Sequence, residues 1–314
     1  MVHPADDRYL FSPIMITIVG AGSTTGAALI PMLLEETDED LQLLSSRELA
    51  YSDARLTTHV INVRDKNVLK QTIMSAMPHT VINLAAMTNV DKCESDRQTA
   101  WDMNVTLVEN LARITRTIDA RLVHISTDYV FDGAKGPYTE TSVPNPISYY
   151  GKSKLAGENV CLAGNTNSVI IRTNVIYGPP RERPDFVRWV LDSLDARTPI
   201  RVVDDQIGNP TFVDDLAEAI MRLALSKRTG LYHVGGADFL SRYDFALRIA
   251  EFFKLDPSII SRVTTAELAQ PAKRPLKLGL ISLKAETDLR MRMRGIDSGL
   301  SSIRQYIVRS RLDQ

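Results

Sequence analysis

Residues 14–19 (Ile-Met-Ile-Thr-Ile-Val) form an unbroken, largely β-branched run, and Gly20-Ala21-Gly22-Ser23-Thr24-Thr25-Gly26 follows at once. A run without polar alternation reads as a strand covered on both faces, as in a parallel sheet. Glycines directly behind it allow a tight turn into a helix, which the sequence carries through Leu34. Similar runs recur at residues 41–44, 59–63, 80–84, 122–126, 169–172 and 231–234. Helical spacing fills the gaps: Val68, Leu69, Ile73 and Met77 share a face in residues 66–77. Val105, Val108, Leu111, Ala112 and Thr115 do so in residues 100–118. Strand and helix in alternation imply right-handed βαβ units, hence an α/β fold with a doubly wound parallel (Rossmann) sheet.

The texture changes after residue 178. Gly178-Pro179-Pro180 and Arg183-Pro184 interrupt the chain, and helical stretches follow at 185–195, 242–253 and 301–308. A length of 314 residues admits about two domains. The expected division is a dinucleotide-binding domain over 14–178, with 209–236 returning to it. A smaller α-rich, substrate-binding part would span 179–208 and 237–314 and cover the carboxyl ends of the strands. Residues before 14 read as a loose arm.

Lys and Arg total 37 against 38 Asp and Glu, a formal charge of -1. That balance gives no electrostatic footing for nucleic acid or an anionic membrane. Cys93 and Cys161 form neither a CxxC pair nor a zinc spacing, which suits reduced thiols in a cytosol. No apolar run approaches the ~18 residues of a membrane span, and the N-terminus does not read as a secretory signal. The expectation is a cytoplasmic protein acting on a small molecule, with room for a homodimer. His124 reads as a packed histidine, residues 290–294 (Arg-Met-Arg-Met-Arg) as a solvated helix face, and Asp204-Asp205 and Asp214-Asp215 as loop and cap acids. None implies a metal site.

The glycine turn carries chemistry as well as shape. Gly20, Gly22 and Gly26, with Ser23, Thr24 and Thr25, would bring backbone N–H groups and a helix N-terminus to a pyrophosphate. The glycines fall at places 0, 2 and 6 rather than the usual 0, 2 and 5. At the end of the second strand, where an acid commonly receives the ribose hydroxyl of NAD, the chain has Ser45-Ser46-Arg47. Arg47 can pair with a 2′-phosphate, so NADP(H) is preferred, with NAD(H) as the alternative.

Tyr150-Gly151-Lys152-Ser153-Lys154 places a tyrosine and a lysine four residues apart on one face of a candidate helix. Alone, Tyr-x-x-x-Lys is a common accident. It follows a strand ending His124-Ile125-Ser126-Thr127-Asp128, which sets hydroxyls at the carboxyl edge of the sheet. Reducing a ketone needs hydride at carbon and a proton at oxygen. Tyr150 suits the proton donor, Lys154 a cation favouring the phenolate, and Thr127 (or Ser126 beside it) a second hydrogen bond to the oxygen.

These residues sit in seven ordered blocks: Val81–Ala86, Thr88–Ser95, Ser126–Gly133, Tyr150–Glu158, Arg172–Gly178, Asp205–Thr211 and Arg274-Pro275. From Ile14 onward the chain resembles the extended short-chain dehydrogenase/reductases, and among them the dTDP-4-dehydrorhamnose reductase family. The resemblance implies an NAD(P)H-dependent reductase of the 4-keto group of a nucleotide-linked deoxysugar, as in dTDP-rhamnose biosynthesis. It implies Thr127, Tyr150 and Lys154 as the catalytic set, with Lys154 also holding the nicotinamide ribose. Asn62-Val63 match the pair beside adenine; Leu84, Ala85 and Ala86 would line the cofactor, Arg172-Thr173 its nicotinamide end, and Asn104 sits on the helix that carries an active-site asparagine. Thr88, Val90, Asp128 and Tyr129 match positions facing the sugar nucleotide. Some relatives bind magnesium; nothing in this sequence supplies its ligands.

Departures from the family pattern are specific. Ser23 stands at a place usually glycine, Val175 at a tryptophan, and Lys277 and Ile281 where Asn and Asp follow Arg-Pro. They leave the cofactor chemistry intact and loosen the identity of the sugar. A sugar-nucleotide epimerase, and a non-catalytic subunit resembling the β subunit of methionine adenosyltransferase, remain alternatives. Thr127-Asp128-Tyr129 has Tyr where 4,6-dehydratases carry Glu, which argues against elimination.

Overall fold

The computed structural model describes residues 15–179 and 184–312. The arm expected through Pro13, Ile14, and Pro180 and Arg183 of the interruption lie outside the described residues. Seven strands form one sheet: β1 Met15–Val19, β2 Asp40–Ser45, β3 Leu56–Val60, β4 Thr80–Asn83, β5 Arg121–Thr127, β6 Ser168–Thr173 and β7 Gly230–His233. Their order is β7-β6-β5-β4-β1-β2-β3, and every neighbouring pair is parallel. The order reverses between β1 and β4, so a crevice opens at their carboxyl ends, where such sheets take ligands.

Helices cover both faces, as the unalternating strands require. On one side α1 Thr24–Glu36 and a later helix, α5 Val213–Ala224, bury Leu29, Leu33, Leu216 and Ile220 against Ile16, Ile18 and Val169. On the other, α2 Lys66–Ala76, α3 Leu107–Thr117 and α4 Tyr149–Gly164 pack Leu69, Ile73, Leu111 and Cys161 on Val19, Val81 and Leu122. A separate cluster joins residues 186–195, the helix α6 Arg242–Phe253 and the C-terminal helix Ile296–Leu312 around Tyr177, Phe212 and Phe245. This second cluster is not purely helical: Ile200–Val203 pairs in parallel with Ile260–Val263. Among the described residues no helix is long and apolar enough to cross a membrane.

Four expectations shift. The third strand lies at 56–60, not 59–63; it is the sheet edge, where Thr57 and Thr58 meet solvent and the apolar signal moves to Ile61 and Val63, which pack beyond the ladder. The helix expected over 100–118 is three pieces: Arg97–Trp101, a π-helical turn at Asp102–Thr106, and α3. Residues 290–294 form no helix: Met291 and Met293 alternate into the core, and Arg294 meets Asp215 and covers Phe212. Ala285, Leu289, Met291 and Met293 thereby join the first core, although the expected division puts them in the second part.

Candidate active site

At the crevice, Gly20 takes φ +81°, and a Cβ there would lie 2.7 Å from the Ala85 nitrogen. Only glycine lets β1 turn so close to the segment leaving β4. At Gly26 a Cβ would collide with the Ala21 carbonyl. Ser23 has a local reason: its hydroxyl caps α1 by accepting from the Gly26 N–H at 3.0 Å. Arg47, at the end of β2, reaches back and donates to the Gly22 carbonyl at 3.1 Å.

The phenol, the amine and the hydroxyl meet at this crevice. Ser148 caps α4 by accepting from Gly151 N–H at 3.2 Å, and Glu94 accepts from Tyr149 N–H at 2.7 Å. A Cβ on Gly151 would run into the Tyr129 carbonyl, so the start of α4 is pressed onto the loop after β5. Tyr129 stands edge-on to Tyr150, with ring centroids 5.6 Å apart. Burial pushes the Tyr150 phenol up, and a hydrogen bond from Thr127 opposes this. By the sequence expectation Lys154 would lower it. Its Nζ donates instead to the Ile125 carbonyl at 2.6 Å, and burial lowers the amine to about 8 against the attraction of Glu158. The phenol is therefore protonated, the form a proton donor needs.

One cleft of about 460 Å³ collects these groups, a size within the range of small-molecule sites. Of the expected residues, it is lined by Gly22, Ser23, Thr24, Thr25, Leu84, Ala86, Thr88, Val90, Thr127, Asp128, Tyr129, Tyr150, Lys154 and Thr173. Gly20, Gly26 and Ala85 are not part of the lining; they hold the turn close to the segment after β4. Arg47 flanks the turn. Asn62 is exposed beyond β3, its carboxamide accepting from Arg64 N–H, and neither it nor Val63 reaches the lining.

Two expected ligands of the cofactor face elsewhere. The Arg172 guanidinium, on an interior strand, is buried in an ion pair with Glu158 at 2.6 Å, away from the lining. Such a pair tolerates burial only with both partners satisfied, and Ser126 and His233 complete it. Asn104 is fully buried by the extra residue of the π turn. It accepts from Met87 N–H at 2.9 Å and donates to the Met87 carbonyl and Ser153 hydroxyl, so it ties residues 84–88 to α4.

Ile125, Ser126, Asn174, Val175, Ile176, Pro184, Asp185 and Arg242 also line the cleft; of these the sequence had marked only Ser126, as an alternative hydroxyl, and Val175, as a departure from the family pattern. Burial raises the Asp128 carboxyl to about 7, opposed by hydrogen bonds with Asn174 and Thr127 and by the Arg242 charge. Val175 holds φ +23°, which is strained for a β-branched residue. Arg242 begins α6, far along the chain, and no local signal marks it. Among the described residues no group of three or more His, Cys, Asp or Glu side chains is placed to hold a metal.

Comparison with known proteins places this geometry in context. A family model described as the RmlD substrate binding domain matches residues 14–307. A dTDP-4-dehydrorhamnose reductase of Aggregatibacter actinomycetemcomitans is 31% identical, covering 93% of this chain and 98% of that one. The methionine adenosyltransferase 2 subunit beta of Xenopus laevis is 34% identical over 68% of this chain and 66% of its own. The crystal structure of dTDP-4-dehydrorhamnose reductase from Bacillus anthracis in complex with NADP superposes with a TM-score of 0.83 at 29% identity, covering 95% of this chain and all of that one.

Proposed function

The chain belongs to the dTDP-4-dehydrorhamnose reductase family of extended short-chain dehydrogenase/reductases, and from that membership we propose how its own residues carry out the reduction. It is an NAD(P)-dependent oxidoreductase that reduces the 4-keto group of a nucleotide-linked deoxysugar. The observation that carries the site assignment is the convergence of Tyr150, Lys154 and Thr127 on a cleft that begins at the glycine turn.

The turn fits a dinucleotide. Its glycines leave no side chain between backbone and ligand, and the α1 N-terminus offers N–H groups to a pyrophosphate. Arg47 beside Gly22 suits a 2′-phosphate, which is the reason for preferring NADP(H). A bound nicotinamide supplies the hydride. Tyr150 gives its phenolic proton to the C4 oxygen as negative charge grows there, Thr127 donates a second hydrogen bond to that oxygen, and Lys154 holds positive charge behind the phenol. Asp128, Tyr129, Thr88 and Val90 face the sugar nucleotide, with Arg242 supplying a cation beside Asp128 and Tyr129. The first core with residues 209–236 would hold the cofactor, and the second cluster would close over the substrate.

The test is loss of reduced-nicotinamide absorbance when the protein meets a panel of dTDP-linked 4-keto-6-deoxysugars. Oxidation of NADPH with formation of the 4-hydroxy sugar is expected. Dinucleotide binding without reduction of any member would instead favour a non-catalytic subunit.

A further inference from the structure

Behind Lys154 lies a hydrogen-bonded pair with no part in the reduction described above. Asn83 ends β4 and His124 stands opposite it on β5. Both are buried, at 1% and 0% exposure. The Ala85 N–H donates to Asn83 Oδ1 at 3.1 Å, which orients the amide. Asn83 Nδ2 is then the donor to His124 Nδ1, also at 3.1 Å. Burial and the neighbouring Lys154 keep the ring neutral. With Nδ1 accepting, its one proton sits on Nε2. That nitrogen lies 3.5 Å from Lys154 Nζ.

We propose that Asn83 and His124 are positioning residues for Lys154: the ring N–H, aimed by the amide, denies the ammonium an acceptor on that side and turns its remaining protons toward the cleft. The neutral amine, by contrast, is held by the same N–H. Glu158 on α4 favours the ammonium, while Cys161 on α4 and Cys93 on the helix Val90–Ser95 face it as neutral thiols, both raised by burial; the Ile125 carbonyl accepts one of its protons, and Tyr150 shares the cleft. The ring and burial oppose them. Lys154 is thereby poised to pass a proton to the cleft near neutral pH. Only this kinetic consequence rests on the reductase reading.

Ring-¹⁵N histidine spectra of the intact protein at neutral pH test the tautomer. His233 is an internal reference of the opposite kind: its Nδ1 donates to the Tyr138 carbonyl at 3.2 Å, and its Nε2 accepts from Arg172. We expect a bare Nδ1 and a protonated Nε2 at His124, its ring assigned in the unaltered protein by through-bond correlation to its own Cβ and backbone. A bare Nε2 or a doubly protonated ring would overturn the proposal, and this reading stands even if the variants do not fold. Asn83→Asp offers an acceptor to Nδ1–H. The ring should then invert, and the basic limb of the turnover profile should move up by about one pH unit, tenfold in proton activity. An unchanged ring, or an inverted ring with an unmoved limb, would refute the coupling. Absence of turnover in the unaltered protein defeats the reductase reading alone, and the spectrum still decides this one.

Discussion

Tyr150 is held as a protonated phenol by burial, so its contribution is the proton it can give. Tyr150→Phe should lower turnover by about 10²–10⁴-fold, the usual worth of a positioned acid, while leaving dinucleotide affinity nearly unchanged. Steady-state kinetics beside a calorimetric titration with NADPH would separate the two; unaltered turnover would remove Tyr150 from the mechanism. Arg47 belongs to the same scale. Its guanidinium lies against the turn on the side where β2 ends, so Arg47→Ala should weaken NADPH more than NADH. Equal losses would mean that the arginine serves the turn and not a phosphate. Arg172 is the counterexample among cations: its position in the motif looked cofactor-directed, yet Glu158 neutralises it inside the protein.

At the scale of elements, α4 is seated by a glycine. A Cβ on Gly157 would collide with the Asn104 carbonyl of the π turn, and it would lie 3.7 Å from the His124 ring. In a free helix Gly→Ala stabilises by about 1 kcal/mol. Here overpacking, about 1–3 kcal/mol, reverses the sign. Gly157→Ala should therefore lower the urea midpoint, and it should reduce activity by loosening the seat of Lys154. A raised midpoint would show that α4 has room to shift. The π turn explains why the sequence suggested one helix over 100–118. The apolar spacing of α3 runs back into it, and one extra residue in a turn leaves the periodicity readable while rotating Asn104 inward.

For the molecule as a whole, buried titratable groups couple stability to pH in opposite directions. His233 is held neutral by burial and by Arg172, its value lowered from 6.5 to about 3. Below pH 6.5 the unfolded chain takes up a proton that the native state refuses, so this histidine makes stability fall on acidification. Asp128 works the other way: raised from 3.8 to about 7, it keeps a proton that the unfolded chain releases, and stability is gained as pH falls through that window. Relative to the unaltered protein, His233→Gln should flatten the loss of stability between pH 6 and 4 by about 1.4 kcal/mol per pH unit, and Asp128→Asn should steepen it. Urea titrations across that range read both slopes. A His233→Gln slope matching the parent would mean that the imidazole is protonated in the native state.

The division of labour between chain and fold has a physical basis. The parallel sheet, the glycine turn and the Tyr150–Lys154 spacing were already written in neighbouring residues, because two-sided burial, φ above zero and helical period are local demands on the chain. The edge strand β3 blurred that signal, since solvent on one side relaxes the demand for two-sided burial. Arg242 reached the cleft only through packing of the second cluster, to which its helix belongs, against the sheet, which no local pattern records. Whether a charge meets a ligand or another side chain was likewise decided in three dimensions. Arg172 found Glu158 and Lys154 found the Ile125 carbonyl, because desolvation makes a buried charge take whatever partner the tertiary fold brings within reach.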